Sequence, residues 1–361
     1  MRRSIEVEYW VIDDDGRLVE PGDLVDASPG AEREFVEPLL EIKTTPCSTT
    51  KELREELFER VGSVVRRADE LGLGLVPLGT PMTEEPIERL PSERTEIQER
   101  AVGERFDRVC RCAGTHIHIE QRPGREIDQL NVLTALDPAL ALVNSSPYAR
   151  RTPDVTGARS KQYRSAYDGM DHQGELWPYL SDIDEWERRL EAGYDAFLRA
   201  AAESGVDEAT VESVFEPESA VWAPVKLRKA FSTVEWRSPD TALPSQIIEL
   251  TDDLVSVVER LADAEVRIDG EIGVHTDDAV VLPEFETVES HVEAAVCEGL
   301  ESDALCAYLD RMGFDVPSYE PIAREFDHDG ELTVPEARQV RLRYARELES
   351  DVRRASTAAS D

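Results

Sequence analysis

The chain has 361 residues, with 77 acidic against 40 basic side chains and a formal net charge of −37. That length can bury a substantial core, while acid spread along the whole chain excludes a nucleic-acid binder, because phosphates are repelled by such a field. No run approaches the roughly 18 apolar residues of a membrane span, and the opening "MRRSIEVEYW" lacks an apolar export segment, so a cytoplasmic protein is expected.

"SIEVEYWVI" (4–12) alternates strictly and reads as a strand, with Ile5, Val7, Tyr9 and Val11 on one face and Glu6, Glu8 and Trp10 on the other. "PLLEIKT" follows as a second strand, Glu41 and Lys43 opposing Leu40 and Ile42. "TTKELREELFERVGSVVRRADELG" has a threonine N-cap, apolar residues at helical spacing and a stop at Gly72. "LGLVPLGTPM" is a short strand running into a Gly/Pro loop. In "THIHIEQ", period 2 sets His116, His118 and Glu120 against Ile117 and Ile119. "DPALALVNSS" reads as a buried helix with Pro138 in its first turn, and "DIDEWERRLEAGYDAFLRAAAESG" as a well-capped one. "STVEWRS" is a strand with Thr233, Glu235 and Arg237 opposite Val234 and Trp236. From about 243 the periodicity is helical, and 351–361 is expected to be a disordered tail. With no repeat and no long linker, 1–350 reads as one domain with a helical C-terminal third.

These strands predict an α+β fold: an antiparallel sheet with helices on its apolar face and a polar concave face crowded with carboxylates, imidazole and guanidinium. A solvated sheet face is the plain reading of any one strand. Taken together the strands say more, because bare carboxylates about 4 Å apart repel by roughly 4 kcal/mol at an effective dielectric near 20. A group of that kind implies cations, and oxygen donors with an imidazole suit Mg²⁺ or Mn²⁺ better than zinc. Lysine is confined to Lys43, Lys51, Lys161, Lys226 and Lys229. Such an acidic, lysine-poor surface suits molar salt, where a Debye length of roughly 3 Å screens self-repulsion. The five cysteines include no CxxC pair and are expected to be reduced, with Cys110 and Cys112 buried and structural.

The order of these blocks resembles the glutamate–cysteine ligases, in the branch that holds bacterial carboxylate–amine ligases and has the glutamine-synthetase type of fold. "IEVEYWVID" is similar to that family's first strand, "EFVEPLLEIKTTPC" to its second element with Glu34 seven positions before Glu41, and "AGTHIHIE" to its Gly-x-His-x-His strand. "LNVLTALDPALALVNSSPYARR" resembles the helix and Ser-Ser-Pro ending that follow, and "FSTVEWRSPDT" the Thr-x-Glu-x-Arg-x-x-Asp strand.

The resemblance implies that Glu6, Glu8, Glu34, Glu41, His116 and Glu235 hold Mg²⁺ or shape its surroundings, with His116 also a catalytic candidate. It makes Arg237 the group that meets transferred phosphate or a substrate carboxylate, and puts Arg164 and Arg228 near the substrate or ATP. His118 is expected to shape the polar face, with direct contact left open, and Glu120 stands where the family often has a small residue. The implied reaction joins L-glutamate to L-cysteine at the expense of ATP, through γ-glutamyl phosphate. A different amine acceptor, or a guanidino (phosphagen-type) kinase of the same fold, stays open, as does a homo-oligomeric state. No Walker A motif is visible, so nucleotide binding falls to the sheet and its metals.

Overall fold

The computed structural model describes residues 1–270, 272–276, 278–326 and 330–358. Its elements run β1 (Arg3–Asp13), β2 (Ala31–Arg33), β3 (Leu39–Lys43), α1 (Thr50–Leu71), β4 (Leu73–Val76), α2 (Glu93–Val102), α3 (Phe106–Val109), β5 (Thr115–Glu120) and α4 (Glu126–Ala135). After a 3-10 segment at Asp137–Val143 come α5 (Ala158–Ser165), α6 (Ile183–Glu203), α7 (Glu208–Val214), α8 (Pro217–Ala220), β6 (Val225–Arg228), β7 (Thr233–Trp236) and α9 (Pro244–Glu259). The remainder is β8 (Glu265–Ile268), β9 (Val274–His275), β10 (Ala279–Leu282), α10 (Phe285–Cys297), α11 (Asp303–Arg311) and α12 (Val334–Ala358).

The large sheet has the order β2-β3-β1-β5-β7-β6, with β4 added to the far half of β1, and every pairing in it is antiparallel. Its apolar face carries Ile5, Val7, Tyr9, Leu40, Ile42, Ile117, Ile119, Val234 and Trp236, all buried against α1, α4, α9 and the 3-10 segment. The α+β class, the antiparallel sheet and the helices on one face are therefore as the alternation predicts. Helix α1 starts with a capping box between Thr49 and Glu52 and stops at Gly72, whose φ of 68° is the left-handed cap that glycine adopts without a Cβ clash.

Three expectations are corrected. "DPALALVNSS" is buried as expected but winds as a 3-10 helix at Asp137–Val143. The C-terminal third is not purely helical, since β8, β10 and β9 form a separate three-stranded sheet. Nor does helix end at 350: α12 runs to Ala358. Asp351 and Val352 are buried, and Asp351 accepts the Ser245 N–H at 3.0 Å, which ties this last stretch to the start of α9. Residues 359–361 of the expected tail lie outside the described residues. Among the described residues no helix is long and apolar enough to cross a membrane.

Candidate active site

Strand register brings the polar side chains together. Glu8 stands opposite Glu41, Glu6 opposite His116, and His118 opposite Glu235 in neighbouring strand pairs, so period 2 places all of them on one face. Glu34 joins from the loop between β2 and β3. Three groups result, each with ligand atoms within 4.8 Å of one another: Glu8, Glu34 and Glu41; Glu6, Glu41 and His116; Glu6, His118 and Glu235. The structure thus gathers all six sequence-derived metal candidates and adds His118.

The first group is a carboxylate crowd. Burial, then the charge of Glu41, pushes the Glu8 carboxyl up to about 7 against the pull of Arg159 and the Gly114 N–H, which donates to Glu8 Oε2 at 2.6 Å. Burial and Glu8 raise Glu34, and burial, Glu34 and Glu6 raise Glu41, although Lys43 Nζ stands 2.7 Å from Glu41 Oε2. Carboxyls raised in this way hold protons that a divalent cation would displace.

The other two groups meet at Glu6. His116 Nδ1 lies 3.2 Å from Glu6 Oε2 and 3.7 Å from Glu235 Oε1. Burial and the nearby Arg237 push the His116 imidazole down to about 4, so at neutral pH it is a neutral ring. Glu6 stays ionised: burial would raise it, but the hydrogen bond with His116 and the nearby His118 ring hold it well below the usual carboxylate range. His118 Nδ1 is 3.1 Å from the Thr233 hydroxyl, while its buried Nε2 has no hydrogen-bond partner and stands 3.6 Å from Glu6 Oε1 and 3.7 Å from Glu235 Oε1. A ring fixed through one nitrogen and presenting the other to two carboxylates is how a metal-ligating histidine is held. With hard oxygens around it, the donor set fits Mg²⁺ or Mn²⁺.

Glu235 has no exposure to water. Burial alone would raise it, yet the Arg237 guanidinium beside it holds it well below the usual carboxylate range. Arg228 Nη1 donates to its Oε2 at 2.8 Å and Arg237 Nη1 to its Oε1. The Nε atoms of both arginines are buried and make no hydrogen bond, that of Arg228 standing 3.7 Å from Glu218 Oε2. Lys226 sits directly across from Glu235 on β6, donating to the Glu218 and Val221 carbonyls at 2.6 and 3.0 Å.

Of these groups Glu6, Glu8, Glu34, Glu41, His116, Arg228 and Arg237 line a cavity of about 460 Å³, whose other walls include Arg94 and Gln98 of α2, Phe106 of α3, Arg159 and Tyr163 of α5, and Trp222 from the segment after α8. Arg164, expected here, is instead committed to Asp137 at 2.6 Å and lines a neighbouring cavity with Glu289 and Glu293. Five residues along α5 rotate the side chain by about 140° to the other side of the helix, so Arg159 faces the carboxylates. Arg159 donates to the Ser238 carbonyl at 2.8 Å and passes so close to Gly114 that a Cβ there would meet its guanidinium at 2.1 Å. Glycine at 114 thus makes room for that arginine. Glu120 points away, paired with Arg2 at 2.6 Å. Cys110 and Cys112 are free and buried in the turn after α3, not on a strand, and burial pushes the Cys110 thiol up to about 12.

Among solved structures, a bifunctional glutathione synthetase from Pasteurella multocida superposes with a TM-score of 0.56 at 15% identity, over 97% of this chain and 52% of that one. A glutamate–cysteine ligase from Francisella tularensis, solved in complex with AMP, gives a TM-score of 0.48 at 10% identity over 98% and 91% of the two chains. A curated relative from Frankia casuarinae, provisionally named glutamate–cysteine ligase 2-1, is 26% identical over 220 residues, 60% of this chain and 52% of the relative. The matches thus span about half the length of that relative and of the Pasteurella protein. The family model described as glutamate–cysteine ligase family 2 matches residues 5–267. Because that match runs from β1 into β8, and so takes in every strand bearing the carboxylates and imidazoles above, the chain belongs to glutamate–cysteine ligase family 2.

Proposed function

We propose that the chain is an ATP-dependent carboxylate–amine ligase that joins L-glutamate to L-cysteine. The observation that carries this reading is the arrangement of three overlapping carboxylate and imidazole groups directly beside arginines with unused donors. A carboxylate is a poor acyl donor, so the γ-carboxylate oxygen first takes the terminal phosphoryl group of ATP, releasing ADP. The amine nitrogen then attacks the carbonyl carbon, inorganic phosphate leaves, and the nitrogen gives up a proton as the amide forms. Both steps crowd anionic oxygens together, which makes charge stabilisation the central requirement.

The residues suit that task. Glu8, Glu34 and Glu41, and Glu6 with His116, His118 and Glu235, would hold Mg²⁺, which when bound supplies positive charge beside the reacting oxygens. His116, neutral at physiological pH, would serve as a lone-pair donor there, not as a general acid. Arg237, whose buried Nε makes no hydrogen bond, lines the cavity together with Arg159, Arg228 and Arg94. Small-molecule substrates and a reducing, cytoplasmic setting accord with five free thiols.

The testing experiment incubates the protein with ATP, Mg²⁺ and glutamate in high salt and follows phosphate release with cysteine, 2-aminobutyrate or other amines. Cysteine-dependent release with γ-glutamylcysteine as product is expected. Release with another amine only would move the assignment to a different acceptor, and a phosphorylated guanidino product would favour the kinase reading.

Arg237→Lys is expected to cut turnover on the order of 10²-fold while leaving the Mg²⁺ requirement nearly unchanged, because lysine keeps the charge but not the planar fork of donors. A Mg²⁺ titration of turnover checks it, and full activity would remove Arg237 from the reaction. A second expectation follows from the acidic surface: fold and activity persist in multimolar KCl and are lost on dilution, as unscreened carboxylates repel. Circular dichroism showing equal stability at about 0.1 M and about 3 M KCl would contradict the halophilic assignment.

A further inference from the structure

A nucleotide whose phosphates lie among the metal-binding carboxylates still needs a surface for its base. Phe231 is 59% exposed in the turn between β6 and β7. The other large exposed apolar side chains among the described residues, Leu71, Ile183, Ile268 and Ile272, are aliphatic.

The ring is held in place on the side facing the site. Its centroid lies 6.0 Å from that of His118, the planes meeting at 78°. The guanidinium carbon of Arg228 stands 5.1 Å from the ring centroid, a cation–π distance. The turn itself is pinned. Ser232 takes a φ of 52°, a left-handed conformation that a residue with a Cβ adopts only under constraint. Its carbonyl accepts the Gln121 N–H at 2.8 Å, and Lys229 Nζ is 2.7 Å from Glu187 Oε1. An aromatic ring kept in water by this many contacts, beside the most charged part of the sheet, is placed to receive another flat ring.

We propose that Phe231 is the stacking platform for the nucleobase of the nucleoside triphosphate, with the phosphates passing Arg228 toward Glu6, His118 and Glu235. This rests on the ligase reading above. The reach is suitable: the phenyl ring lies 6.0 Å, centroid to centroid, from His118, one of the residues that would hold Mg²⁺, a separation that a ribose and its first phosphates cover. Arg228 serves both ends, since its Nη1 is bonded to Glu235 while the guanidinium lies against the ring. Stacking uses the π-face common to all bases, so it requires no hydrogen-bond readout of the base.

The experiment uses the full chain in high-KCl buffer with Mg²⁺ and measures equilibrium binding of two probes, a non-hydrolysable ATP analogue and inorganic tripolyphosphate, which has no base. Phe231→Ala is expected to weaken analogue binding on the order of 10- to 100-fold and to leave tripolyphosphate binding unchanged. Phe231→Trp is expected to restore analogue binding and to show indole fluorescence quenched by the analogue but not by tripolyphosphate. Unchanged analogue binding by Phe231→Ala overturns the platform while leaving the ligase reading intact, and an equal loss of both probes overturns it as well, by making Phe231 a support of the phosphate site. Wild-type protein that binds neither probe overturns the ligase reading and the platform together.

Discussion

Glu235→Gln is expected to lower ATP turnover by at least about 10²-fold and to raise the Mg²⁺ concentration needed for what remains. Glutamine keeps the volume and one oxygen, but the charge that holds the centre of the site together is gone. Glu235 is fully buried, accepts from Arg228 and Arg237, and has His116 Nδ1 and His118 Nε2 each 3.7 Å away. It is the carboxylate through which the cationic edge of the sheet, Lys226, Arg228 and Arg237, meets the imidazoles of β5. Neutralising it leaves two arginines and a buried lysine uncompensated, a change that costs on the order of 3–5 kcal/mol when one partner of a buried pair is removed. The check is a Mg²⁺ titration of ATP turnover beside a melting curve. A variant that melts earlier but turns over normally at limiting Mg²⁺ would make Glu235 structural only.

Trp236→Ala is expected to lose about 3–5 kcal/mol of stability, read as a lower denaturant midpoint with an unchanged slope. Trp236 neighbours Glu235 in sequence but points to the opposite face, where it is fully buried in the apolar core. Its indole Nε1 donates to Asp137 Oδ1 at 2.8 Å. Asp137 is itself buried and also accepts from Ser238 and from Arg164, the latter at 2.6 Å. Alanine therefore leaves a cavity and removes one donor from a buried carboxylate, two costs that add. Trp236→Phe, which keeps most of the ring volume and loses only the donor, should cost about 1–3 kcal/mol. A wild-type midpoint for Trp236→Ala would show that the strand presents its other face to the core.

The residues of the polar face were legible wherever the side-chain period alone sets direction. Strict alternation in 4–12 and in "THIHIEQ" assigns each residue to one of two faces without knowledge of any partner strand, and the structure keeps Ile5, Val7, Ile117 and Ile119 in the core. Caps are equally local: Thr49, Glu52 and Gly72 bound α1 because each acts on backbone groups within one turn. His118 shows where this stops. The sequence puts it on the polar face, but only the pairing of β5 with β1 on one side and β7 on the other sets its Nε2 between Glu6 and Glu235.

Sequence by itself therefore determined the α+β class, the face each strand residue takes and the carboxylate-rich character of the site, all properties of period and residue type within a few positions. Tertiary structure decided which arginine of α5 enters the cavity, that α2 supplies Arg94 and Gln98 to its wall, that a short, partly exposed three-stranded sheet interrupts the C-terminal helices, and that α12 continues past Asp351. Each of these depends on contacts between segments far apart in the chain. Helix rotation relative to the sheet, strand order and the burial of a helix end are fixed by packing against those distant partners, and no local pattern of residues encodes them.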